Sequence, residues 1–387
     1  MYSEDDINSA VAAGALSAEA AESFRTHMSA VRDLPRSSEE EFRLLNSFND
    51  IFVSIGIVIL LVALAAIGQW IGAAIIPVNF AWSNDMIDEP QFEAFYAANA
   101  RQDAVQTCLA GLLIAASAWP LSEFFTRKRR MALPSILLLL AFVGGVFASV
   151  LGLGLALVAG EDTLRGAVII GLAGVVACGA AYIHWRRFAV PITVAAGTGV
   201  LVIALLIMAL AVIDIELGGT GSLIAVLLMG IGVFAIAMRW DMSDRERTTR
   251  RSDVAFWLHL LAAPMIAHPV FALLGVTDGD MGGIGAALAV VAVYIAFGCV
   301  ALAIDRRALL VSALAYVLFA LAFLFNEFGA VELSFALTAF VLGSALLSLS
   351  AFWQPIRAGL VGVLPESVQA KLPAATDTGA SPSPNAA

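Results

Sequence analysis

Long runs of apolar residues, separated by short polar connections, dominate the middle of the sequence. Ten of these runs reach the roughly 17–25 residues that a helix needs to cross the hydrocarbon core of a bilayer. They cover residues 51–75, 104–124, 131–158, 166–182, 188–213, 222–238, 254–274, 282–303, 309–325 and 333–352. Runs of this length are too long for strands and follow one another closely. The pattern therefore predicts an all-α integral membrane protein, a bundle of about ten transmembrane helices.

Composition supports the same class of protein. Hydrophobic residues make up 60% of the 387-residue chain and charged residues 13%, and the mean hydropathy is +0.90. A water-soluble fold cannot hide this much apolar surface, which excludes a soluble enzyme, a nucleic-acid binder and a disordered chain. The three cysteines all fall within apolar runs, and they indicate neither a disulfide framework nor a metal cluster.

The distribution of charge predicts the orientation of the helices. All but two of the 21 basic residues, Arg101 and Arg165, fall in the terminal segments and in alternate connections of a ten-helix path. Because cytoplasmic segments hold the excess of arginine and lysine, both termini are predicted to be cytoplasmic. The absence of cysteines outside the apolar runs favours a bacterial inner membrane, with the lipid bilayer as the first partner.

Polar segments flank the bundle, so the predicted organisation is 1–50, 51–353 and 354–387. Ser3 begins one short helix, Gly14 ends it and Ser17 caps a second, which predicts a small cytoplasmic helical hairpin. Residues 39–50 continue as an amphipathic approach to the first span. A short interfacial helix over 355–364 and a disordered tail from Pro373 follow the last span.

Two further patterns lie within the body. Residues 90–101 carry apolar side chains at helical spacing and predict a separate short helix on the outer leaflet. The motif Arg-Arg-x-Ala-x-Pro occurs at 129–134 and again at 186–191. With the arginine pairs at 250–251 and 306–307, it suggests tandem hairpins, each an outgoing helix, an acidic turn and a returning helix. Two spans with short loops produce the same period without any duplication.

The seventh apolar run holds the candidate binding residues. His259, Pro264 and His268 interrupt its apolar background, and Asn326 is a polar residue that faces the same interior in this interpretation. Prolines free backbone carbonyl groups, and broken helices with polar side chains line many transporter sites. The alternative is a kinked structural helix whose histidines satisfy those carbonyls.

Other chemistry has little support in the sequence. No cofactor is predicted. The alternative is a haem bound by His184 and His259. The acidic residues nearest the spans, Asp214, Asp253, Asp305 and Glu327, lie at helix ends where they reach water, which weakens ion-coupled transport. No catalytic or metal-binding motif is present, so no enzyme activity is predicted, and the acidic N-terminal segment excludes nucleic acid as a partner.

Residues 11–21, VAAGALSAEAA, contain the pattern aG-x-x-S-x-E ahead of a body with many spans. In this respect the chain resembles an uncharacterised bacterial membrane-protein family, a domain of unknown function whose members have a short helical hairpin before the first span. The C-terminal segment, with Trp353-Gln354-Pro355 and two later Leu-Pro pairs, is similar in style. The resemblance implies a bacterial inner-membrane protein and assigns no site residues.

Two hypotheses of function follow. The first is a membrane scaffold or sensor, in which residues 1–36 bind a cytoplasmic protein; the alternative role of this hairpin is to shield the inner ends of the bundle. The second is a transporter of a neutral or weakly polar small molecule through the seventh helix. The substrate, the partner and the oligomeric state are not fixed by the sequence.

Overall fold

A computed structural model describes residues 4–33, 48–78, 89–158, 163–216, 218–247, 249–275, 283–328 and 332–373. Every regular element in these ranges is a helix. The chain divides into two compact units. One consists of residues 1–43 with 376–387, and the other is the helical body formed by residues 44–375. The predicted all-α class is thereby confirmed for the part of the chain that the structure describes.

The N-terminal unit contains the predicted hairpin, formed by α1 (Glu4–Ala12) and α2 (Ala18–Asp33). Gly14 has φ +68°, a left-handed conformation that glycine adopts without strain and that lets the chain reverse. The Ala20 N–H donates to the Ser17 hydroxyl at 3.1 Å, as expected of a helix cap. The predicted amphipathic approach over 39–50 falls almost wholly outside the described residues, as does the predicted tail beyond Pro373.

The body contains ten helices that are long and apolar enough to cross a membrane, counted over the described ranges. In chain order they are α3 (Phe48–Ile75), α4 (Glu89–Ser122), α5 (Ala132–Leu157), α6 (Thr163–Phe188), α7 (Ile192–Ile213), α8 (Thr220–Met242), α9 (Arg250–Leu273), α10 (Ile284–Ile304), α11 (Ala308–Glu327) and α12 (Ser334–Ala351). Two short helices follow, α13 (Trp353–Val363) and α14 (Glu366–Gln369). The ten apolar runs of the sequence are confirmed as these ten helices.

The predicted break between a surface helix at 90–101 and the second span is wrong. Helix α4 runs without interruption from Glu89 to Ser122 and continues into a π-helical turn at Glu123–Lys128. No glycine or proline lies between Phe92 and Asp103 to end it, and the polar residues there are compatible with a helix. Its 34 residues span about 51 Å, well beyond the roughly 30 Å of a hydrocarbon core.

The three most extensively packed helix pairs are each joined by an arginine-rich turn. Helix α4 packs on α5, α6 on α7 and α8 on α9, whereas α7 and α8, which share an acidic connection, contact each other little. A Cβ added to Gly152 would lie 2.5 Å from a backbone nitrogen of α4, and one at Gly230 would lie 2.9 Å from the α9 backbone. Small residues therefore permit these close approaches. The sequence predicted hairpins in which an acidic turn joins an outgoing and a returning helix. These hairpins are not the main packing units.

The repeated Arg-Arg-x-Ala-x-Pro motif does not occupy equivalent positions in the fold. Pro134 lies inside the first turn of α5, whereas Pro191 precedes α7 as its N-cap. The turns instead share one non-glycine residue with a positive φ, which is 53° at Arg130, 51° at Ala189, 54° at Arg247 and 55° at Asp305. This left-handed residue reverses the chain in each of the four arginine-rich turns.

Candidate functional site

Helix α9, the seventh span, lies at the centre of the body. Half of its apolar window, 50%, is buried, against 17–39% for the other nine spans identified in the described residues. It packs on α7, α8 and α11, and alanines such as Ala255, Ala262 and Ala267 let these neighbours approach closely. Its N-cap is Thr249, whose hydroxyl accepts from the Arg251 N–H at 3.2 Å.

The two prolines do not break this helix. Helix α9 is continuous from Arg250 to Leu273, with Pro264 exposed and Pro269 buried. Because Pro269 has no N–H, the carbonyl of Met265 lacks its usual helical donor. Gly230 of α8 packs directly against the Met265 backbone, where even a Cβ would lie 3.0 Å from that carbonyl oxygen. The Met265 carbonyl that lacks its helical donor is therefore covered by α8.

His259 takes part in a buried charged cluster. Its Nε2 lies 2.7 Å from Oδ2 of Asp241, in the last turn of α8. The Arg306 guanidinium donates to Oδ1 of Asp241 at 2.7 Å and to the Ser252 carbonyl at 3.1 Å. Asp241 and Arg306 are only 1% and 3% exposed. These contacts tie the last turn of α8 to the first turns of α9 and to the turn before α11.

A second carboxylate, Asp305, lies beside this cluster. Arg247 donates to Oδ2 of Asp305 at 2.8 Å, and the Trp353 indole N–H donates to Oδ1 at 2.6 Å. Burial lowers the pKa of the Arg357 guanidinium, and the Asp305 carboxylate, 3.9 Å from its Nε, opposes that shift. We use the name charged network for the following residues: Asp241, Arg247, His259, Asp305, Arg306, Trp353 and Arg357.

The charged network was not predicted, although the sequence contained a signal for it. Asp214, Asp253 and Glu327 are exposed as expected, but the prediction that Asp305 reaches water is wrong, because it is 5% exposed and bonded on both oxygens. The signal is that carboxylates such as Asp241 and Asp305 follow apolar runs on the arginine-rich side. Opposite charges at neighbouring helix ends attract each other more strongly when both are shielded from water.

The other candidate residues lie farther along the helices. Nδ1 of His268, an exposed residue, lies 2.7 Å from the Tyr316 hydroxyl of α11, and the Phe271 ring stacks on Tyr316 with centroids 4.6 Å apart. Asn326 is exposed near the end of α11, ten residues or about 15 Å beyond Tyr316. His268 follows His259 by nine residues, about 13 Å along α9. The structure therefore joins each histidine to a different partner and does not gather the four candidates into one site.

His184 has a different environment from His259. Its side chain is fully buried, neither ring nitrogen has a hydrogen-bond partner, and the rings of Phe188, Phe142 and Trp119 lie 4.5, 5.7 and 6.1 Å away. These rings come from α4, α5 and α6, whereas His259 contacts Asp241 and Phe234 of α8. Haem ligation by the two histidines stays a prediction. Over the described residues, no group of three or more histidine, cysteine, aspartate or glutamate side chains is placed to hold a metal ion.

These features define a multi-pass, all-helical membrane protein with a separate N-terminal hairpin. No protein-family model, no curated protein and no solved structure matches the chain. The resemblance carried by residues 11–21 accordingly stays a prediction.

Proposed function

We propose that this protein is a membrane scaffold or sensor of a bacterial inner membrane, with both termini in the cytoplasm and no enzyme activity of its own. In this proposal, the hairpin within residues 1–36 binds a cytoplasmic protein, and the body anchors that complex in the bilayer. The resemblance of residues 11–21 to an uncharacterised membrane-protein family supports the location.

The observation that carries this proposal is the small apolar core among the described side chains of the hairpin. Helices α1 and α2 have 9 and 16 residues, and Ala21, 1% exposed, is the buried apolar residue among their described side chains. Two helices of this length are marginally stable without tertiary packing, and chains below about 40 residues rarely fold unaided. Phe24, 39% exposed, offers apolar surface to a partner. A bound protein would cover this surface.

The body supports the same proposal through its use of charge. Two of its buried carboxylates, Asp241 and Asp305, are engaged by arginines. Ion-coupled carriers generally need an ionisable group that faces a substrate pathway. Here Asp241 and Arg306 join α8 to α9 and to the turn before α11, as expected of a body that serves as an anchor.

The test compares partners of the full-length protein with those of a variant lacking residues 1–36, after cross-linking in native membranes and quantitative mass spectrometry. Deletion is expected to remove a reproducible partner, and Phe24→Ser to reduce its recovery at least tenfold. The matched control is Glu19→Gln, which changes an exposed residue of the same helix and should retain the partner. An unchanged partner list after the deletion would refute the proposal.

Hydrogen exchange distinguishes partner binding from the alternative that the hairpin shields the body. In the purified full-length protein, amides of α1 and α2 are expected to exchange within seconds and to gain protection when the partner is added. Strong protection without any partner would assign the hairpin to the body and contradict the scaffold proposal.

The alternative is transport of a neutral or weakly polar small molecule through α9. The observation that favours it is the pair formed by His268 of α9 and Tyr316 of α11, two polar groups on neighbouring apolar spans. Gentle purification followed by native mass spectrometry would detect a stoichiometric small molecule, which His268→Ala should remove. An absorption spectrum tests the haem alternative, since a Soret band lost in His184→Ala and in His259→Ala would support it.

A further inference from the structure

The segment after the last span, residues 353–373, folds back against the arginine-rich turns. Arg357 donates to the Leu302 carbonyl at 3.1 Å and to the Pro373 carbonyl at 2.7 Å. Arg245, in the turn after α8, donates to the Leu372 carbonyl at 2.9 Å. This segment, which we call the C-terminal strap, is thus held at its beginning and at its end.

Apolar contacts complete the attachment of the strap. Val361 and Leu372, 7% and 5% exposed, form a cluster with Ile304 at the end of α10, and Phe234 and Met238 of α8 pack against it. The strap therefore covers apolar side chains of α8 and α10 that would otherwise face the aqueous side of the turns. Trp353 and Leu360 also pack with Ala301, Leu302 and Leu310 of the body, so the attachment combines two apolar clusters with the buried charges of Asp305 and Arg357.

Asp305 connects the strap to two other segments. One carboxylate oxygen accepts from Arg247 in the turn between α8 and α9, and the other accepts from Trp353 at the start of the strap. Asp305 itself lies in the turn between α10 and α11. Loss of one of these hydrogen bonds leaves the buried Asp305 carboxylate with fewer donors and little water. The remaining contacts of Asp305 are therefore expected to break with it.

The turns of the first five spans have no comparable attachment in the described residues. There Glu123 accepts from Arg187 at 2.6 Å and from Arg127 at 3.4 Å, and both arginines are exposed. Exposed pairs of this kind contribute little to stability. Two buried charges, Asp305 and Arg357, therefore lie where the strap meets the body.

We propose that the C-terminal strap is a movable cover that opens as a unit from the ends of α8 and α10 while the spans stay folded. Buried ion pairs give less net stability than apolar packing, because their charges lose hydration, and water restores that hydration when the strap opens. Opening exposes Ile304, Phe234 and Met238 together with the Asp305 carboxylate. This proposal concerns the body alone and is independent of the role of the N-terminal hairpin.

The experiment measures cysteine labelling of the full-length protein in nanodiscs, with Cys108, Cys178 and Cys299 replaced by alanine. The probe is a water-soluble, membrane-impermeant maleimide. Leu372→Cys reports the closed strap, and Val363→Cys, at a residue 87% exposed, gives the rate of an open position. The first is expected to react at least 100-fold more slowly than the second.

A change at the attachment should open the strap. Arg245→Ala is expected to accelerate labelling of Leu372→Cys at least tenfold, whereas Arg239→Ala, at an exposed arginine at the end of α8, should leave it unchanged. Ala313→Cys, at a fully buried residue of α11, should stay unlabelled throughout and so report that the spans are folded.

Two outcomes would overturn the proposal. In the first, Leu372→Cys reacts as fast as Val363→Cys without any further change, and the strap is then not closed. In the second, Leu372→Cys reacts only together with Ala313→Cys, and the strap is then a permanent part of the fold. Should Arg245→Ala fail to fold, hydrogen exchange of the unaltered protein decides: faster exchange in residues 353–373 than in α9 supports opening, and equal exchange refutes it.

Discussion

Removing Arg306 should destabilise the body strongly, because it leaves the Asp241 carboxylate buried with a single partner. Arg306 supplies bonds of 2.7 Å to Asp241 and 3.1 Å to the Ser252 carbonyl from a site that is 3% exposed. Breaking a buried pair by removing one partner costs about 3–5 kcal/mol. At about 2.1 cal/mol/K of unfolding entropy per residue, a body formed by residues 44–375 should lose about 4–7 °C in its unfolding midpoint.

The assay is thermal unfolding of the detergent-purified protein, followed by tryptophan fluorescence at one fixed heating rate, since unfolding of a membrane protein is commonly irreversible. Arg306→Met is expected to lower the midpoint by about 4–7 °C, as estimated above. Asp241→Asn combined with Arg306→Met removes both charges and keeps an amide for His259, so it should recover at least half of the loss. Arg239→Met, at an exposed arginine of α8, is the control. A shift below about 1 °C in Arg306→Met, or a double variant no better than the single one, would refute the reasoning.

Three further predictions concern packing, the strap and the hairpin. Gly152→Ala should lower the free energy of unfolding by about 1–3 kcal/mol, because the added Cβ would meet the α4 backbone. Gly144→Ala has open space around it and should stabilise α5 by up to about 1 kcal/mol. Thermal unfolding measures both effects. Trp353→Phe keeps an aromatic ring but loses the hydrogen bond to Asp305, which is worth about 1.5–3 kcal/mol for a charged acceptor. Hydrogen exchange should therefore become faster in residues 353–373 and stay unchanged in α9. Ser17→Ala removes the cap of α2 and should speed exchange in that helix by about fivefold, corresponding to roughly 1 kcal/mol, with no change in the spans.

The structure departs from the sequence-based expectations mainly where distant residues meet. The prediction divided α4 because the apolar spacing at 90–101 is typical of a surface helix. Only the lack of a helix-ending residue before Ala104 argues against this division. Asp305 was placed in water because a carboxylate at a helix end is usually solvated. Trp353, 48 residues later in the chain, reaches that carboxylate only after the strap folds back.

The candidate site was predicted in part. The histidines and prolines of α9 singled it out in the sequence, and it is the most buried of the spans identified in the described residues. The partners of these histidines were not visible, because Asp241 and Tyr316 lie on other helices. Spacing along one helix determines which residues share a face, but it says nothing about which helix covers that face.

The sequence by itself determined the all-helical class, the ten apolar spans and the hairpin with its turn at Gly14. These features depend on local quantities, namely the length of apolar runs, the energetic need to bond every backbone group in lipid and the preferences of cap residues. Only the tertiary structure decided which helices pair, how α9 is covered and how Asp305 and Arg306 join three segments. Those choices depend on close contacts between small residues and on burial of opposite charges far apart in the chain, and both arise only when the helices pack.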